Sequence, residues 1–395
     1  MIRSLKNFIN NKKKAGVHMI TNIINAGFGH SVRFIAMLES LRTFSHAPIT
    51  CLTPGSMIKF IKANTTQYNC DVHNFYYLQS LVSKRKKSTK SLIKASDKKL
   101  LQKLNTTTIM INDFFVNAQK IQRLFSNNTI TCCLYHGNIE IKKNDDLKTA
   151  AFKKMVRDTA SKHDIFFHIN IQQPQYKPNL KCIYIPIPIV SRRISMHKQT
   201  VNSILGLQPE EKFILVHAGS AVMENVYKDL HNFYTAVNTL KTSFKIVVAS
   251  SLENNHFPFD SRIIKAPLFH NGIDLVNASE LVISKPGMGI LQDCIVTNKP
   301  LLFLPGDFAE RNLKIQLLDQ LLQGNLPMIK NISASNLEES INQCLSIKNL
   351  YQAAYEQVPV NGADILARAA NILKDIKKDK IQDFIPMIKE MSPFV

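Results

Sequence analysis

Two short loops carry the residues best suited to chemistry: Gly27-Phe28-Gly29-His30-Ser31-Val32-Arg33 and Ser284-Lys285-Pro286-Gly287-Met288-Gly289-Ile290-Leu291-Gln292-Asp293. Each lies between an apolar run of strand length and a stretch of helical period. A glycine in such a loop removes the Cβ that would block close backbone approach, and the helix that follows points its unpaired N–H groups at an anion. Two of these loops, about one domain length apart, point to two nucleotide-fold halves with a site between them. His30 suits proton transfer at neutral pH, the alternative being a histidine that closes its loop by a hydrogen bond. Arg33, one turn later, suits holding His30 or a phosphate. In the second loop the N–H groups of Gly287 to Gly289 suit a diphosphate, and Asp293, one turn into the next helix, suits both ribose hydroxyls.

The elements that must position these residues follow from hydropathy. Apolar runs alternate with helical periods, the pattern of parallel α/β layers. Strands are expected at residues 17–24, 48–52, 107–112, 130–135 and 164–170, with Phe34, Leu38 and Leu41 on the inward face of the first helix. The run IYIPIPIV carries Pro186 and Pro188, which cannot continue a central ladder and suit an exit strand leading to a linker. The alternation restarts with strands at 213–217, 244–249, 281–284 and 301–305, and Ile365, Ala369 and Ile372 mark a long closing helix. The resulting division is 1–190, 191–362 and a closing helix and tail at 363–395.

The 395 residues, 45% hydrophobic, can bury two ordinary cores. No run approaches the roughly 18 apolar residues of a spanning helix, and the basic start has no apolar region behind it, so a cytoplasmic protein is expected. Seven cysteines with no C-x-x-C pair suggest reduced, mostly buried thiols rather than disulfides or structural zinc. A net charge of +21 implies an anionic partner. The excess is densest between Lys84 and Lys103, where nine basic residues accompany one acid, Asp97. That run suits phosphates, anionic lipid headgroups or an anionic acceptor, or is a solvated insertion. Nucleic acid is the less favoured partner, because no aromatic residues interleave the run. The sequence has no Walker loop, zincin helix, serine elbow or paired-aspartate metal motif, and the first loop lacks the third glycine of a dinucleotide fingerprint.

Taken together, these motifs resemble GT-B glycosyltransferases of the type represented by the bacterial peptidoglycan N-acetylglucosaminyltransferase and the plant galactolipid synthases, with the related nucleotide-sugar hydrolase of pseudaminic acid synthesis. The glycine-histidine-arginine loop is closest to the hydrolase, Ala218-Gly219-Ser220 to the turn opening the second domain, and residues 284–305 to the sugar-nucleotide segment. The resemblance implies two Rossmann-like domains with parallel sheets facing across a cleft, and transfer of a sugar from a nucleotide-diphosphate donor, a UDP-sugar, with inversion and with no metal or cofactor. It implies His30 as base, with Asp113 after TTIMIN as an alternative and His136 after ITCCLY on the acceptor side. Donor contacts are then Gly29, Arg33, Gly219, Ser220, Ser284, Gly287, Met288, Gly289 and Asp293, with His217 nearby, and Glu310 and Asn312 reading sugar hydroxyls. Asp307 and Glu310 are alternatively helix-capping acids. Asp293 is shorter than the glutamate usual in the family. The acceptor is open; an anionic or lipid-linked one would explain the charge and the amphipathic start, with peripheral contact to an anionic membrane. Hydrolysis of the nucleotide sugar, and a noncatalytic RNA-binding protein on the same fold, are the competing readings.

Overall fold

The computed structural model describes residues 19–25, 27–85, 95–143, 145–218, 227–249, 257–307 and 309–395. Seven strands form the first sheet: β1 (Met19–Ile24), β2 (Ile49–Thr53), β3 (Cys70–Asn74), β4 (Thr107–Asp113), β5 (Ile130–His136), β6 (Ile165–Ile169) and β7 (Ile183–Ile187). Their spatial order is β3-β2-β1-β4-β5-β6-β7 and every pairing is parallel. The second sheet has β8 (Phe213–His217), β9 (Lys245–Val248), β10 (Ile263–Lys265), β11 (Leu281–Ser284) and β12 (Leu301–Phe303), in the order β10-β9-β8-β11-β12 and also parallel. Central strands such as β1 and β5 are buried along their whole length, as runs of Ile, Leu, Cys and Thr between two helical layers must be.

Six helices position the site: α1 (Phe28–Arg42), α2 (Leu147–Ala160), α3 (Met288–Thr297), α4 (Ala309–Leu321), α5 (Gly362–Leu373) and α6 (Ile381–Glu390). The inward face expected for α1 is correct, since Phe34, Leu38 and Leu41 are all buried. The first sheet's core also takes in Ile365, Leu366, Leu373, Ile385 and Ile388, so the chain returns from the second sheet to finish the first. The expected closing helix is α5, and the stretch after it, read from the sequence as a tail, carries a second helix, α6.

Two further expectations are corrected. Strands β3 and β10 lie where no strand is expected, because CDVHN carries little apolar character and IIK is only three residues long. As expected for a run that cannot continue a central ladder, Pro186 sits in β7, the sheet's edge strand. The basic run is not wholly a solvated insertion: residues 86–94 lie outside the described residues, but from Ala95 it is a helix that buries Leu100, Leu104 and Asp97, the last accepting a hydrogen bond from the Tyr77 hydroxyl at 3.0 Å. All seven cysteines are free, and five are buried. Among the described residues, no helix is long and apolar enough to cross a membrane.

At the return crossing, the Gly362 N–H donates to Ile189 O at 3.0 Å, and the backbone passes so close that a Cβ on Gly362 would lie 2.2 Å from Pro188 O and 2.6 Å from Ile189 O. Neither carbonyl can swing away as a side chain could. Gly362→Ala is expected to destabilise the protein by about 1–3 kcal/mol, read as a lowered midpoint in chemical unfolding; an unchanged midpoint would mean that α5 does not seat this closely.

Candidate functional site

Each sheet reverses its strand order once, at β1/β4 in the first and at β8/β11 in the second. Where neighbouring parallel strands send their connections to opposite faces, a crevice opens at the strand carboxyl ends. The two crevices meet in one cavity of about 480 Å³. Gly29, His30, Arg33 and His136 line it from the first sheet, and His217, Ser284, Gly287, Met288, Gly289, Asp293 and Glu310 from the second. The glycine loops nearly touch, since a Cβ on Gly289 would sit 3.7 Å from Gly29 Cα. Residues 260 positions apart are thus walls of a single crevice.

On the first wall, Gly27 precedes α1 with φ +114°, a conformation closed to side chains with a Cβ, and turns the chain sharply from β1 into the helix. This places His30 and Arg33 on one face of the first helical turns. Ile24 and Asp113 are register partners at the carboxyl ends of β1 and β4, so Asp113 lies beneath that face. Arg33 grips it bidentately, Nε to Oδ2 at 3.0 Å and a terminal nitrogen to Oδ1 at 2.9 Å. His30 Nδ1 is 3.0 Å from Asp113 Oδ1 and 2.8 Å from the same Arg33 nitrogen. Burial opposes the charge on Asp113, but Arg33 and then His30 outweigh it and hold its carboxyl below the ordinary value. Both Asp113 and Arg33 are buried, whereas the His30 side chain keeps 20% exposure toward the cavity.

On the second wall, Ser284 and His217 are register partners at the ends of β11 and β8, and the Ser284 hydroxyl donates to His217 O at 2.6 Å. Gly287 caps α3 without a side-chain bond, so the helix start is open to another acceptor. Burial pulls the Lys285 ammonium down to about 8, with Arg311 adding to the effect. Asp293 accepts a hydrogen bond from Ser191 Oγ at 3.1 Å, and burial raises its carboxyl to about 7. Glu310 pairs with Lys314, and Arg311 with Asp307 at 2.5 Å. Burial holds His136 and His217 in the neutral form, and the Nδ1 atoms of both lack a hydrogen-bond partner among the described residues.

Of the residues singled out from the sequence, Asn312 stands apart. It does not line the main cavity but an adjoining one, with its Oδ1 filling the space where a Cβ on Gly306 would lie. Gly219 and Ser220 lie outside the described residues. Sequence reasoning missed Gln292, whose buried Nε2 has no partner among the described residues, and Lys314, whose i,i+4 spacing from Glu310 was a usable signal. Among the described residues, no group of three His, Cys, Asp or Glu side chains gathers as a metal site.

No protein-family model matches this sequence, and no curated protein is significantly similar to it. Solved structures do resemble the fold. A UDP-glucosyltransferase from Polygonum tinctorium capable of glucosylating indoxyl superposes with a TM-score of 0.62 at 12% identity, over 92% of this chain and 100% of that one. UGT89C1 of Arabidopsis thaliana complexed with quercetin gives 0.63 at 12% identity over 90% and 99%. CalG4, the calicheamicin glycosyltransferase, gives 0.56 at 11% identity over 95% and 100%. The chain has the GT-B fold. At these identities the likeness shows the fold alone.

The raised carboxyl of Asp293 makes a prediction about stability. Its pKa is higher folded than unfolded, so the native state binds the extra proton and the associated stability is complete below about 3.8, declines as pH rises and is gone above about 7. Asp293→Asn removes the term. Relative to the wild type, the variant should gain about 3 kcal/mol between pH 5 and pH 8, measured by urea unfolding; parallel pH profiles would refute the assignment.

Proposed function

We propose that this protein is a glycosyltransferase that moves a sugar from a nucleoside-diphosphate donor onto an acceptor hydroxyl, using His30 as general base. The observation that carries the reading is the meeting, in one cavity, of a carboxylate-backed histidine and an uncapped helix start from opposite walls. A base for the incoming hydroxyl and a seat for the departing diphosphate are what such a displacement needs.

Nδ1 of His30 cannot both donate to Asp113 and accept from Arg33. The ionised carboxylate is the stronger partner for an N–H, and Arg33 is already engaged with it, so the proton belongs on Nδ1 and the lone pair on Nε2. Nε2 takes the acceptor proton as the acceptor oxygen bonds to the anomeric carbon. The bond from that carbon to the diphosphate oxygen breaks, and its electron pair leaves with the nucleoside diphosphate. Attack opposite the leaving group inverts the anomeric centre. Asp113, with both oxygens held by Arg33, orients His30 and stabilises its cation rather than acting as the base.

On the donor side, the N–H groups at the start of α3 and the Lys285 ammonium receive the diphosphate, and Asp293 takes the ribose hydroxyls. Glu310, from the start of α4, faces the sugar. The apolar wall formed by Leu215, Phe269, Leu275 and Val276 suits a nucleobase. A uridine donor is the reading that the motif resemblance favours.

A thermal-shift panel of UDP and UDP-sugars should raise the unfolding midpoint of the protein, and release of free sugar without an acceptor would favour the hydrolase instead. His30→Ala should retain the wild-type Kd for UDP while losing roughly a hundred- to ten-thousand-fold in kcat. Wild-type turnover in His30→Ala would remove it as the base, and RNA binding with a steep salt dependence but no nucleotide-sugar response would favour the noncatalytic reading.

A further inference from the structure

We propose that the acceptor is a neutral, polyhydroxylated molecule of carbohydrate type, bound in a second chamber between α2 and α4. This rests on the glycosyltransferase reading and adds to it a binding site and a substrate class. The chamber holds about 350 Å³, within the range of small-molecule sites. It shares Tyr135, His136, Phe152 and Glu310 with the main cavity, so its inner end opens on the reacting centre.

Its lining is polar but electrically balanced, with three lysines, Lys142, Lys153 and Lys314, against three acids, Asp145, Asp146 and Glu310. Most of these charges are already spent. The buried Lys153 ammonium bonds both oxygens of Asp145 at 2.9 Å, Lys314 pairs with Glu310, and Asp146 caps α2 through the N–H groups of Lys148 and Thr149. Lys142, half-exposed, stands 4.0 Å from Glu140. An anionic acceptor would find no surplus cation here, whatever the charge of the whole chain. A flat aromatic or an acyl chain would have to desolvate these ion pairs without replacing their water contacts.

What remains available is amide. Asn312, Gln316 and Gln320 recur every four residues, so they form one row along α4 facing the chamber. Among the described residues, no hydrogen bond engages these three side chains. A primary amide both donates and accepts, as a hydroxyl does, so such a row fits a chain of hydroxyls better than it fits phosphate or carboxylate, which at neutral pH only accept. At the inner end, the Tyr135 ring stacks on His136 at 5.1 Å, and His136 Nδ1 is buried with no partner among the described residues. A sugar hydroxyl arriving there satisfies it beside His30.

The test is initial-rate kinetics with saturating UDP-glucose and three acceptor classes: neutral disaccharides (maltose, cellobiose, chitobiose), quercetin, and glucose 6-phosphate. Transfer to at least one disaccharide in preference to the other two classes is expected. In Gln316→Leu/Gln320→Leu the KM for that disaccharide should rise at least tenfold, with kcat and the Kd for UDP-glucose unchanged; both positions are exposed, and an unchanged melting midpoint verifies folding. Preference for quercetin or the phosphorylated sugar, transfer to none of the disaccharides while the donor binds, or an unmoved KM in the double variant would each overturn the proposal. Failure of UDP-glucose and other nucleotide sugars to bind at all would instead bring down the glycosyltransferase reading beneath it.

Discussion

A buried ion pair holds the first half of the cleft in place. Arg33 comes from the second turn of α1 and Asp113 from the last residue of β4, and their two hydrogen bonds fix a helix to a strand end across the crevice. Taking both charges out of water is expensive, and the two-pronged geometry is what offsets that cost; losing either partner would leave an uncompensated charge worth about 3–5 kcal/mol. The same pair sets the orientation of His30, since its Nδ1 meets the shared oxygen and nitrogen. One interaction therefore serves both the packing of α1 and the placing of His30, and the glycine turn before α1 brings its members into range.

Much of this was legible in the sequence, for identifiable reasons. Strands buried on both faces read as continuous apolar runs, and most strand positions follow within a residue or two. The glycine loops stand out because a glycine between strand and helix has few other uses. The partnership of His30 with Asp113 was not legible: it depends on β1 pairing with β4 rather than with β2 alone, a matter of sheet order that no local pattern encodes. The two-helix closure escaped notice because Lys374 to Lys380 reads as a charged tail and hides the second amphipathic segment. Along α4, Asn312 drew attention singly, while its place in a four-residue series went unread until the helix gave the series a face.

Net charge illustrates how a global property can mislead about a local one. An excess of +21 invites an anionic partner for the whole surface, yet in the chamber beside the main cavity lysines pair with acids. Long-range attraction and close-range fit are separate physical demands, the first set by summed field and the second by the last few ångströms of hydrogen bonding.

The return of α5 and α6 to the first sheet bears on how the chain acquires its structure during synthesis. The amino-terminal sheet leaves the ribosome before the second, but part of its apolar surface is covered only by residues beyond Gly362, which emerge after both sheets. Until then that half waits incomplete while the second sheet, whose core lies almost wholly between Ile189 and Val358, can settle first. The order of maturation thus runs against the order of translation, and a nascent chain halted before α5 and α6 would expose an apolar flank to chaperones.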